Sequence, residues 1–179
     1  SQPLSGQRLT WIFFFFSELI LAIEPQYSNI PWDDSDNLCE GPIMTPLRIA
    51  ILGYGRSGGN LHADAIEALP DYKLVAACDI DSDRCNLAAE RFGCRTYDDY
   101  HRMLAQEELD LVSIVTRSDQ HCEMACDCLR AGTNVLVTKP WCVNEDEARQ
   151  MLEVANHSGA LLLPWLPARR DPVYVRLKE

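Results

Sequence analysis

The chain has 179 residues and a formal net charge of −11, a length that suits one domain with a true hydrophobic core. So acidic a balance excludes nucleic-acid binding as its task, because neutralising phosphate backbones takes a basic face. Eight cysteines lie mostly inside apolar strand or helix patterns without any C-x-x-C pair, so they predict reduced, buried thiols in a cytoplasmic protein and neither disulfides nor a metal site.

Residues 1–43 read differently from the rest. Trp11-Ile12-Phe13-Phe14-Phe15-Phe16 is followed by Ser17-Glu18 and a second apolar stretch from Leu19 to Ile23. Broken at Glu18, the run falls short of the roughly 20 apolar residues a membrane span requires. It also lacks the basic cluster and cleavage site of a signal peptide. Pro25, Pro31 and Pro42 surround the acidic Asp33-Asp34-Ser35-Asp36, a composition of loop or disorder. Met44 stands three residues before the first strand, so residues 1–43 are expected to be an extension or non-native upstream sequence. A membrane-touching or partner-binding tail is the competing idea.

From Met44 onward, strand and helix patterns alternate. Leu47–Leu52 predicts a strand that stops in Gly53-Tyr54-Gly55-Arg56-Ser57-Gly58. A helix over Asn60–Leu69 follows, with Leu61, Ala65, Ile66 and Leu69 on one side. Gly53 would permit a tight turn, Gly55 would let the backbone approach a pyrophosphate, and Gly58 would let the helix pack close. The free N–H groups and positive dipole end of that helix would face the phosphates. Lys73–Cys78 predicts a second strand ending at Asp79, which lies 21 positions after Gly58, near the spacing of about 20 for a ribose-binding carboxylate.

A helix over Ser82–Phe92 carries Leu87, Ala88 and Phe92 and ends at Gly93; a short edge strand at Cys94–Tyr97 and a helix near Asp99–Ala105 follow. Leu111-Val112-Ser113-Ile114-Val115 is the continuous apolar run of a buried parallel strand. Thr116–Gln120 reads as a loop, His121–Ala131 as a helix, and Val135–Val137 as a fifth strand ending in Thr138-Lys139-Pro140. Asn144 and Glu147 have capping-box spacing ahead of a helix with Ala148, Met151, Leu152 and Ala155, and Leu161–Leu163 is a sixth strand. The whole predicts a Rossmann-type doubly wound parallel sheet, three-layer α/β/α, in the order 3-2-1-4-5-6.

In such sheets ligands sit outside the carboxyl ends of the strands where strand order reverses. The glycine loop, Asp79, Thr116 to His121, and Thr138-Lys139-Pro140 all fall on that rim. Asp79 can accept from both ribose hydroxyls and would repel a 2′-phosphate, so NAD is favoured over NADP, although Arg84 nearby tempers that preference. Lys139 is the candidate catalytic group, able to donate to a substrate oxygen, with burial expected to bring it into proton-transfer range. His121 either contacts the cofactor or substrate or caps its own helix. His62 turns toward the phosphates or packs. His101 and His157 read as solvated, and Trp141 and Trp165 as packing groups.

With these residues assembled, the chain from about Leu47 to Pro172 resembles the Gfo/Idh/MocA oxidoreductase family. The resemblance rests on Gly53-Tyr54-Gly55-Arg56-Ser57-Gly58 with His62, on Ala77-Cys78-Asp79, on Thr116 with His121, and on Arg170 and Pro172. Its most specific part is Ala131-Gly132-Thr133-Asn134-Val135-Leu136-Val137-Thr138-Lys139-Pro140, which is similar to the family's run into Glu-Lys-Pro. The resemblance implies an NAD(P)-dependent dehydrogenase that moves hydride between a sugar, cyclitol or polyol hydroxyl carbon and nicotinamide. Lys139 would bind and polarise the reacting hydroxyl. The implied cofactor-binding residues are Gly53, Tyr54, Gly55, Arg56, Ser57, Gly58, Asp79, Thr116, Ser118, His121 and Lys139.

Two positions depart from the family pattern: Thr138 replaces the usual glutamate, and Arg117 stands where proline is frequent. The family's second α/β domain, which carries most substrate contacts and usually the oligomer interface, is not in this sequence. The domain is therefore expected over 44–166, with 167–179 starting a linker. The alternative function is a non-catalytic dinucleotide-binding or sensing module.

Overall fold

The structure, a computed structural model, describes residues 45–166. The expectations for residues 1–43, for Met44 as a start, for the linker over 167–179, and for Arg170 and Pro172 lie outside the described residues. Six parallel strands form one sheet: β1 (Leu47–Leu52), β2 (Tyr72–Cys78), β3 (Arg95–Tyr97), β4 (Leu111–Ile114), β5 (Asn134–Thr138) and β6 (Leu162–Trp165). Their order is β3-β2-β1-β4-β5-β6, the predicted doubly wound arrangement.

The strands are apolar on both faces because both are covered, as parallel sheets require. Ile49, Ile51, Leu74, Leu111 and Leu136 turn to one side and pack with Ala65, Ile66 and Ala88. Ala50, Leu52, Val112, Ile114, Val135 and Val137 turn to the other, against Met103, Ala125, Leu129 and Met151. The helices bearing these partners are α1 (Ala63–Glu67), α2 (Ser82–Phe92), α3 (Tyr100–Gln106), α4 (His121–Arg130) and α5 (Glu145–Ser158). Each crossover returns to a parallel strand, so chain direction alone assigns α1 and α2 to one face and α3, α4 and α5 to the other.

Capping is local and legible. Asn144 Oδ1 accepts from the Glu147 N–H at 2.9 Å, while Glu147 Oε2 accepts from the Val143 N–H at 3.0 Å. The return bond thus lands one residue before the cap instead of on it. Gly159, at φ 73, ends α5 in the left-handed region, where a side chain would be strained.

The first helix departs from the expected register. It opens at Arg56 and passes through a π-helical turn, Gly58–His62, in which the Ala63 N–H reaches the Gly58 carbonyl. The wider turn rotates the following residues, so Leu61 is 52% exposed while His62 is buried. Leu61 therefore does not share the inward side with Ala65, Ile66 and Leu69. Leu87 and Leu152 also face outward. The small Cys85 and Ala88 form the buried contacts of α2, and Met151 that of α5.

Six of the seven described cysteines are buried and all are free. Burial pushes the Cys78, Cys122 and Cys128 thiols up to about 12 and that of Cys94 up to about 11. They are protonated near neutrality and poor nucleophiles. In a timed alkylation of native protein at pH 8, read by peptide mass, Cys142 will be modified first among the seven. Rapid labelling of Cys122 or Cys128 would contradict this packing.

Candidate functional site

β1 lies between β2 and β4, so the chain leaves its carboxyl end toward one side and later returns on the other. The glycine turn is wedged at that reversal. The Gly53 N–H donates to the Cys78 carbonyl at 2.8 Å, and the Val115 N–H donates to the Leu52 carbonyl at 2.8 Å.

The three motif glycines hold different positions. Gly53 has φ +89, and a Cβ there would meet the Val115 carbonyl at 2.9 Å. Only glycine accepts both conditions. At Gly58 a Cβ would lie 2.1 Å from the Gly53 carbonyl oxygen, so the helix rests directly on the turn. Gly55 instead is met only by a side-chain tip, Arg84 Nη1, at 3.5 Å from an added Cβ, and that guanidinium is half-exposed and can turn aside. An extended anion could approach the backbone there. The Gly59 N–H is the first to reach back in the helix, to the Gly55 carbonyl at 2.8 Å. The N–H groups of Arg56, Ser57 and Gly58 belong to the turn before it, the positive end of the helix.

Tyr54 contributes its backbone and not its ring. Its N–H donates to Asp79 Oδ2 at 2.8 Å, while the ring is buried in the core beside Gly59. Asp79 Oδ1 accepts from the Asp81 N–H at 3.0 Å, and Arg84 Nη1 stands 3.5 Å from Oδ2. A carboxylate has about four acceptor positions; two backbone N–H groups take two and Arg84 Nη1 donates to a third, at 3.5 Å. Arg84 is half-exposed, and with it turned aside two positions are left for a pair of hydroxyl donors. Ile80, which sequence reasoning overlooked, is 95% exposed directly after Asp79. The only sequence signal for it was a large aliphatic residue just past the end of a buried strand.

His62 does not turn toward the glycine loop. It is buried, its Nδ1 is 2.8 Å from the Ser113 hydroxyl, and its ring centroid is 4.8 Å from that of Trp165. Burial lowers its pKa from 6.5 to about 4. Folded protein thus binds this proton less readily than unfolded chain, so the neutral ring's stability holds above pH 6.5 and is lost as pH falls through 4. The loss is on the order of 3 kcal/mol. Urea melts across this range should show that slope in wild type and a shallower one in His62→Gln; equal slopes would remove His62 from the account.

On the other wall, Thr116, Ser118, His121 and Lys139 follow β4 and β5. Ser118 opens a 3₁₀ turn, Ser118–Gln120, and Arg117 forks onto Asp119 at 2.8 and 3.1 Å. His121 is 1% exposed, with Nδ1 3.0 Å from the Pro140 carbonyl and Nε2 3.0 Å from the Thr116 carbonyl. It neither caps its helix nor points into the crevice. Thr138 is buried and donates to the Ile114 carbonyl at 3.2 Å. Lys139 is exposed, so the burial expected to prepare it for proton transfer is absent among the described residues. The Lys139-Pro140 peptide is cis. Trp141 packs against the core as expected. Among the described residues no cluster of metal-ligating side chains occurs, and no helix is long and apolar enough to cross a membrane.

This fold and crevice define a dinucleotide-binding domain of Rossmann type. The family model GFO_IDH_MocA, described as an oxidoreductase family with an NAD-binding Rossmann fold, matches residues 47–164. The chain belongs to the Gfo/Idh/MocA family. It is 33% identical over 119 residues to D-glucoside 3-dehydrogenase of Escherichia coli, covering 66% of this chain and 34% of that protein. Among solved structures, myo-inositol 2-dehydrogenase of Lactobacillus plantarum aligns with TM-score 0.69 and 31% identity, over 74% of this chain and 40% of that one. The WlbA dehydrogenase of Chromobacterium violaceum, in complex with NADH and UDP-GlcNAcA, aligns with TM-score 0.72 and 28% identity, over 76% and 40%. The chain thus spans about two fifths of the length of such relatives.

Proposed function

We propose that this chain is the cofactor-binding half of an NAD(P)-dependent oxidoreductase acting on a hydroxyl-bearing carbon of a sugar, cyclitol or related polyol. NAD is the favoured cofactor and NADP the alternative. The observation that carries the reading is the Gly55 backbone, covered only by the half-exposed Arg84 side chain, next to the Asp79 carboxylate that the Tyr54 and Asp81 N–H groups hold in place. Arg56, Ser57 and Gly58 present N–H groups to the pyrophosphate. Asp79 binds the adenosine ribose, and Ile80 supplies an apolar face beside it for adenine. Thr116 and Ser118 flank the nicotinamide half.

When bound, the nicotinamide supplies hydride chemistry. The exposed Lys139 ammonium donates to the substrate oxygen, stabilising negative charge there as the carbonyl forms or is reduced. The remaining substrate contacts belong to the second domain that the family's greater length implies, and self-association would run through it. The free, buried thiols support a cytoplasmic location.

In the full-length protein, cofactor reduction over a polyol panel tests this reading. Lys139→Ala should lower kcat on the order of 10²-fold with little change in NADH affinity. One observation favours a non-catalytic binding module. The Thr138 hydroxyl is spent on the Ile114 carbonyl, leaving no carboxylate where the family pattern puts one beside the lysine. No turnover in wild type with NADH still bound would decide for that second reading, whereas turnover equal in wild type and Lys139→Ala would remove only the role given to Lys139.

A further inference from the structure

His121 touches neither open face of the crevice, yet both its ring nitrogens are engaged. β4 and β5 pair as far as Ile114 and Val137, with the Thr138 hydroxyl on the Ile114 carbonyl as the last tie between them. Past this point the two chains separate into the loop that begins at Thr116 and the bend at Lys139-Pro140. The His121 ring spans that gap, at 3.0 Å from the carbonyl of each. Both partners accept only, so the imidazole is the donor the two loops share. A neutral ring donates to one carbonyl at a time and an imidazolium to both.

We infer that His121 is a positioning residue, a side-chain rung that continues the β4–β5 ladder beyond its last backbone pair. It sets the separation of Thr116 from the Lys139-Pro140 bend, and through these the cradle for the nicotinamide half and the direction of Lys139. The ring itself is buried, so its nitrogens meet these two carbonyls in place of bulk water. This role rests on the proposed cofactor site. It adds a residue that acts on the site without touching what binds there.

The geometry allows the two ties to be cut separately. Asparagine places an amide nitrogen close to the Nδ1 position and so keeps the Pro140 tie. Glutamine places one close to Nε2 and keeps the Thr116 tie, and leucine keeps neither. The experiment titrates the full chain with NADH and measures amide hydrogen exchange over residues 115–118 and 139–142. The variants are His121→Asn, His121→Gln, His121→Leu and the core truncation Met103→Ala on α3, with stability measured for each.

His121→Leu should weaken NADH binding about tenfold and speed exchange in both loops together. Asn and Gln should weaken binding less, each loosening chiefly the loop whose tie it lost. Met103→Ala should leave affinity within about twofold even when equally destabilised. Unchanged exchange in both loops of His121→Leu overturns the inference whatever the cofactor does. So does an affinity loss in Met103→Ala that matches His121→Leu at equal stability. Coupled loosening of the loops in a chain that binds no NADH upholds the rung and removes the cofactor reading instead.

Discussion

Alanine at Gly58 will cost both stability and cofactor binding, whereas alanine at Gly55 will cost binding alone. The difference follows from what a methyl group meets. At Gly58 it would sit 2.1 Å from the Gly53 carbonyl oxygen, and backbone cannot yield as a side-chain tip can. The helix must lift off the turn, an overpacking cost of about 3 kcal/mol or more, and its N–H groups move with it. At Gly55 the nearest atom is a half-exposed guanidinium at 3.5 Å, so the unliganded fold tolerates the methyl. That methyl then occupies the face along which a pyrophosphate would run. Urea melts and NADH titrations should show Gly58→Ala losing both quantities. Gly55→Ala should melt like wild type and bind at least tenfold more weakly, a difference of about 1.4 kcal/mol. Equal affinity in Gly55→Ala and wild type would mean that nothing passes over that glycine.

Asp79→Asn and Arg84→Ala will move cofactor preference in opposite directions. The Asp79 carboxylate accepts from two backbone N–H groups and from Arg84 Nη1 and can take a diol once Arg84 turns aside, but its charge opposes a phosphate on the same ribose. An asparagine retains one acceptor oxygen and sets an NH₂ against a donor, losing a charge-assisted bond. Such bonds contribute about 1.5–3 kcal/mol, so NADH affinity should fall roughly ten- to hundredfold, while NADPH loses less because a repulsion is relieved. Arg84 is 3.5 Å from Asp79 and 3.4 Å from Asp81. Its guanidinium is the group at hand to meet a 2′-phosphate. Arg84→Ala should therefore weaken NADPH selectively and leave NADH nearly unchanged. A wild-type preference for NADPH, or a ratio that neither variant shifts, would contradict the assignment of Asp79.

Sheet order and the rim were legible because they depend on signals local to each element. An apolar run of four to seven residues ending in glycine or aspartate marks a buried strand and its carboxyl end, and handedness fixes the rest. The Asn144–Glu147 cap was equally local. What escaped depended on neighbours remote in sequence. The π turn at Gly58–His62 changes which residues face inward, and no propensity announces it. His62 consequently meets Ser113, 51 residues away, instead of the phosphates. Tyr54 lies within the binding motif, but the fit of its ring beside Gly59 sends it to the core. His121 could be placed on the rim from sequence, but only the approach of the Thr116 and Pro140 carbonyls showed that it ties two loops together. Lys139 was placed correctly just past a strand end, but the burial expected of it was not: the buried pattern stops at Thr138 and Lys139 is exposed.

Mapping backbone amide shifts while NADH is added to the chain tests the central claim most directly. The account predicts saturable shifts concentrated at residues 53–58, 79–81 and 116–118, with lesser ones at Lys139. Shifts gathered instead in the outer groove of about 390 Å³ lined by Asn60, Leu87, Glu90 and Arg91, or no shifts at all, would contradict it.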